Sequence, residues 1–224
     1  MCFAQLRPRL RLAATALACL TSGAAAAAEM TRPVEHMASE DAPARTIGDA
    51  EAVLRTASHG ATMVLRTSEL APGHVTTAWW VIIARPEGCA ASPCSAEDVV
   101  GRAAEVGTQI VYADGVVNGP DGTASFSAYL PRGEVPGGWY DQAFDDPKSA
   151  EIHLVLNDHG PLIPEIAASM LGSYRGGCRD ESLPPPFPAT AKADGAPGPN
   201  RCALIQDAIF QQSRGPHGYL FHRP

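Results

Sequence analysis

Val75-Thr76-Thr77-Ala78-Trp79-Trp80-Val81-Ile82-Ile83-Ala84 is the strongest strand signal in the chain. Successive side chains of a strand point to opposite faces, so Ala78, Trp80 and Ile82 lie on one face and Trp79, Val81 and Ile83 on the other. Both faces are apolar. A strand of this kind sits in the middle of a sheet and demands something packed over each side.

Working outward, Val53-Leu54-Arg55-Thr56 and Val64-Leu65-Arg66-Thr67 read as a β-hairpin with Gly60 at its turn. Ser95 to Val106 reads as one short helix, with Ser95 at its cap and Glu97 and Asp98 in its first turn. Strands are expected again at Gln109 to Val117, Ala124 to Leu130, Glu151 to Asn157 and Ala203 to Phe210. A long Gly- and Pro-rich loop, Pro131 to Pro147, separates two of them. About seven strands, one short helix and long Pro/Gly-rich loops predict an all-β chain, specifically an antiparallel β-sandwich.

The ends read differently. Residues 1–28 carry a basic start (Arg7, Arg9, Arg11), an apolar run from Leu12 to Leu20 and a small-residue stretch, Ala24 to Ala28, which together read as an export signal. Residues 29–48 are polar and without period, and are expected to form a flexible leader before a single domain over 49–224. That domain carries a Pro-rich insert at 184–200, with six prolines and two glycines. Cys19 follows Ala16-Leu17-Ala18, which resembles a bacterial lipobox and offers a possible lipid anchor.

The chain has 224 residues and a net charge of −7, and because the first 28 residues hold three Arg and no acid, the remainder stands at 14 basic to 24 acidic residues, or −10. No basic stripe offsets that balance, so nucleic acid is not an expected partner. No stretch after the signal has the roughly 18 to 20 apolar residues of a transmembrane helix.

Four cysteines lie beyond the signal: Cys89, Cys94, Cys178 and Cys202. An even number in an exported chain reads as disulfides, with three pairings possible and proximity favouring Cys89 with Cys94 and Cys178 with Cys202. The 23 residues between Cys178 and Cys202 are a poor match to a zinc knuckle.

Three candidate sites follow. His153, His159, His74 and Glu151 supply the donors that Zn or Cu takes, if their strands are neighbours. Trp79, Trp80, Trp139 and Tyr140 could form an aromatic ligand platform, although adjacent tryptophans of one strand cannot share a face. Asp141, Asp145 and Asp146 offer oxygen ligands for a hard cation but lack an EF-hand pattern. A Gly-x-Ser-x-Gly elbow, His-Glu-x-x-His and the phosphate-binding fingerprints are all missing from the sequence.

Gly73-His74, Trp79-Trp80-Val81-Ile82 and Pro86-Glu87-Gly88-Cys89 with Cys94 form one block. Ala150-Glu151-Ile152-His153-Leu154-Val155, His159-Gly160-Pro161 and Gly176-Gly177-Cys178 form another. In this order they resemble the signatures of a group of uncharacterised exported bacterial proteins, over roughly Ala50 to Gln211. The chain departs from them at Thr76, where an aromatic residue is expected, and in the insert after Cys178. Val116-Val117-Asn118-Gly119-Pro120 is faintly similar to a turn of chordin-type domains. Neither resemblance implies an activity. The expectation is an exported, non-enzymatic binding or structural module of the envelope or secretome, with a protein or small molecule as ligand. A metal-binding protein and a membrane-tethered lipoprotein are the alternatives.

Overall fold

A computed structural model describes residues 27–38, 42–172 and 203–211. The export signal up to residue 26, the Cys19 anchor, the Cys178 and Cys202 pairing and the insert at 184–200 lie outside these residues.

The fold is all-β, with eight strands among the described residues. They are β1 (Ala28–His36), β2 (Arg45–Ala57), β3 (Gly60–Thr67), β4 (His74–Ile83), β5 (Thr108–Val117), β6 (Ala124–Pro131), β7 (Glu151–Pro161) and β8 (Ala203–Phe210). Every pairing is antiparallel. The strands form a single sheet in the order β5-β4-β7-β8-β1-β2-β3-β6, curled until it is nearly a barrel, and not the two separate layers of a sandwich.

The supposed leader is what joins the halves. β1 pairs with β2 from Ala28 to His36 and meets β8 at Glu35↔Asp207 and His36↔Gln206, so β5-β4-β7-β8 and β1-β2-β3-β6 become one sheet. Val34 alone in β1 is fully buried, which is why the segment shows no apolar period. Its support comes from main-chain pairing and cross-strand ion pairs such as Arg55 with Glu29.

The opposite seam closes without a ladder. Asp114 of β5 accepts the main-chain N–H of Ser127 on β6 at 2.9 Å and that of Gly115 at 2.9 Å. Further along, the Gly/Pro-rich loop lies beside β5, with Trp139 N–H donating to the Ile110 carbonyl at 2.9 Å. The Gln109 carboxamide clamps that loop. Its Oε1 accepts the N–H groups of Ile110 and Tyr140 at 3.0 Å each, and its Nε2 donates to the carbonyls of Gln142 (2.9 Å) and Tyr140.

Inside the barrel Trp80, Phe126, Phe144, Phe210, Met63 and Leu154 are all fully buried, and Phe144 is delivered by the same loop. Each such side chain contributes roughly 1.5–3 kcal/mol of burial. Eight strands enclose a space that side chains of this size can fill.

The outer face of β4 has its own core, as the two apolar faces require. Trp79, Val81 and Ile83 pack with Val99, Val106 and Ile110. The cover is the segment between β4 and β5, closed by the Cys89–Cys94 disulfide. The helix expected there is broken into a π-helical turn, Glu97–Gly101, and α1, Ala103–Val106, with Arg102 between them at φ −122°. The expected cap does form. Ser95 Oγ accepts the Asp98 N–H at 3.3 Å, and Asp98 Oδ2 accepts the Ser95 N–H at 3.0 Å. Asp98 also accepts the N–H groups of Ala90 (2.7 Å) and Ala91 (3.3 Å), which holds the disulfide loop against the π-helical turn. At the hairpin tip Gly60 has φ +154°, and a Cβ there would run into the Leu130 carbonyl.

Candidate functional site

The polar side chains that drew attention in the sequence fall mostly on β7, in two clusters at its opposite ends. At one end Glu151 Oε1 accepts the Cys94 N–H at 2.7 Å and lies 2.7 Å from His153 Nε2. Gln211 Nε2 reaches Glu151 Oε2 at 3.2 Å and Ser92 Oγ at 2.9 Å. Burial pushes the Glu151 carboxyl up, but the bonds from His153 and Cys94 outweigh it and hold the group below the usual carboxylate range. Asp207, on β8 beside this cluster, goes the other way. Burial raises its carboxyl, His153 opposes the rise, and Glu35 adds to it.

At the other end β7 bulges against β4 between Asp158 and Pro161. Asp158 Oδ1 accepts the Gly160 N–H at 2.8 Å and stands 2.9 Å from His74 Nδ1. With Asp158 as acceptor, Nδ1 carries the proton of this contact. His159 is fully buried, and burial lowers its pKa to about 4 against a smaller opposing pull from Asp158. Its Nε2 lies 2.7 Å from Thr77 Oγ1, which also accepts the Trp79 indole N–H at 2.9 Å. The neutral imidazole is the form this geometry fits, with the Thr77 hydroxyl donating to Nε2.

The expected metal set is therefore divided. His74 stands with Asp158, His159 with Thr77, and His153 with Glu151. Six residues of strand run about 20 Å, which separates His153 from His159. Among the described residues no three His, Cys, Asp or Glu side chains converge to hold an ion.

Three of the four platform aromatics do meet, as packing. Trp79 is 4% exposed, lies 5.4 Å from Trp139 and meets Tyr112 edge-on at 5.9 Å; Tyr140 packs against the same outer core, while Trp80 points into the barrel. In the loop, Asp146 accepts the Lys148 N–H at 3.1 Å, and Asp141 and Asp145 are exposed.

Two features were not legible in sequence. The carboxamide of Asn157, opposite Thr77, is fully buried with neither its oxygen nor its nitrogen hydrogen-bonded. A cleft of about 240 Å³ opens between β1 and β8, lined by Arg32, Pro33, Glu35, Pro93, Asp207 and Gln211 among others.

No family model, no curated protein and no solved structure matches the chain. The fold and these side chains are what a functional reading rests on. Among the described residues no helix is long and apolar enough to cross a membrane.

Proposed function

We propose that this chain is a non-enzymatic binding or structural module that works outside the cytosol, in the cell envelope or the surrounding medium. One observation carries the reading: the buried ionisable side chains are tied into the scaffold. Glu151 holds the disulfide loop, Asp98 holds the same loop to the π-helical turn, Asp158 fixes the β7 bulge, and His159 is kept neutral under burial. A catalytic acid or base needs access to a substrate and a pKa near the working pH. The Cys89–Cys94 bond agrees with an oxidising compartment.

The test is made on protein recovered from its source cells without reductant and without a chelating tag. Osmotic-shock release together with a Cys89–Cys94 bridge in the alkylated mass map is the expected result. Retention in the cytosol with reduced thiols overturns the export reading. Near-stoichiometric Zn or Cu, lost on replacing His153 and His159 by Ala, overturns the non-metal reading.

A further inference from the structure

The ladder between β1 and β8 stops short, and Pro33 explains where. Met37 N–H donates to the Ile205 carbonyl at 3.1 Å, and Glu35 and His36 face Asp207 and Gln206. Antiparallel partners alternate between hydrogen-bonded and non-bonded pairs. Met37 with Ile205 and Glu35 with Asp207 are bonded positions, and the next bonded position would set Pro33 against Ile209. Proline has no N–H to give. Beyond this point, among the described residues, β1 pairs only with β2 and β8 only with β7.

The two strands consequently splay into a wedge. Glu35 and Asp207 stand at its apex, Arg32 and Pro33 line one wall, and Ile209 and Gln211 line the other, with Pro93 of the disulfide loop at its margin. By the alternation, the main-chain N–H and C=O of Ile209 face into the wedge, where no strand of the described residues meets them.

We propose that this wedge is a recognition slot for an extended peptide segment bearing a lysine or arginine side chain. The peptide adds to β8 through the main chain of Ile209, and its cation sits between Glu35 and Asp207. Addition of a strand to an open edge is an established recognition mode, in which the main chain gives affinity and side-chain pockets give specificity. Charge complementarity selects the occupant. Glu35 accepts a hydrogen bond from Thr46 at 3.2 Å, and neither Glu35 nor Asp207 takes part in an ion pair among the described residues. Arg32, exposed on the wall, pairs with neither carboxylate.

This inference rests on the reading of the chain as a binding module. Its test is calorimetric titration of the full chain with an acetylated, amidated hexapeptide of alternating valine and threonine carrying one central lysine. Saturable 1:1 binding is expected, weakened at least tenfold by glutamate in place of the lysine and at least tenfold by Asp207→Asn with Glu35→Gln. Removing the competing charge, Arg32→Ala, should tighten binding. Pro33→Thr restores the missing N–H, and is expected to protect the Ile209 amide from hydrogen exchange in the free protein and to weaken the peptide at least tenfold. The charge-reversed peptide needs no protein variant, so the result does not hinge on the fold of any mutant. Absence of binding, equal binding of the lysine and glutamate peptides, or binding of free lysine amide as tightly as the peptide overturns the proposal. Those results leave the export and disulfide measurements unaffected, so the two readings fail separately.

Discussion

Glu151 accepts the main-chain N–H of Cys94 at 2.7 Å, across 57 residues of sequence, and so fastens the disulfide loop to the central strand β7. The same oxygen stands 2.7 Å from His153. One buried carboxylate thereby positions both the cover of the outer core and a histidine of the sheet.

Glu151→Ala should therefore cost about 2 kcal/mol in urea unfolding at pH 7, because it leaves the Cys94 donor buried without a partner. Glu151→Gln keeps an acceptor and should cost less. The wild-type carboxyl is held below its unfolded value of about 4.5. Its stabilising share is thus complete above that value and lost as pH falls through the lower folded value. Between pH 5 and pH 2 the stability of the wild type should fall more steeply than that of Glu151→Gln. Parallel curves for the two proteins would show that the carboxylate charge contributes nothing.

His159 gives a second pH dependence in a different window. Its pKa is lowered from 6.5 to about 4 by burial, so between those values the unfolded chain binds the proton and the folded chain does not. Stability then rises with pH across this window and is lost as pH drops from 6.5 towards 4, by up to about 3 kcal/mol. Thermal unfolding at pH 7.5 and pH 5 should differ more in the wild type than in His159→Gln, which cannot titrate. An unchanged slope in the variant would refute the assignment.

Gln109 is 2% exposed, and its carboxamide bonds Ile110, Tyr140 and Gln142. Gln109→Ala should cost about 3 kcal/mol, since several buried main-chain groups lose their partner at once. Gln109→Glu should be worse, because it turns an acceptor toward the Tyr140 and Gln142 carbonyls. Gly138→Ala should give a similar defect by a different route, since its Cβ would overlap the Gln109 carboxamide. All three variants should open the 132–147 loop to limited proteolysis and shift Trp139 fluorescence to the red. Wild-type resistance to protease in Gly138→Ala would show that the loop does not depend on this clamp.

The apolar periods made the centre of the molecule legible. The expected strand from Val75 to Ala84 is found at His74–Ile83, central and covered on both faces; Gly60 turns the hairpin, and Ser95 caps its segment. Trp79 and Trp80 divide between two cores, as alternation demands. What stayed hidden depends on polar groups whose partners are remote in sequence. Gln109 meets Tyr140 from 31 residues away, and Asp114 meets Ser127 from 13 away. Neither has a local signature. The histidines are of types that suit a metal, but a strand spreads them along its length, and each finds its own partner there.

β1 was missed because a strand held by main-chain pairing needs no apolar stripe, and the test of its role lies in Val34. That side chain is fully exposed to solvent if residues 29–48 form a loose leader, and it is fully buried in the inner core of the observed fold. Val34→Asp would place an unpaired carboxylate among apolar side chains, a loss of several kcal/mol and enough to unfold a domain of ordinary stability. Val34→Thr, nearly the same shape, should cost about 1–3 kcal/mol for its buried hydroxyl. Thr31→Asp, on an exposed position of the same strand, is the control and should stay within about 0.5 kcal/mol of the wild type. A Val34→Asp protein with wild-type Tm would mean that β1 does not close the sheet, and the single eight-stranded sheet would give way to two separate halves.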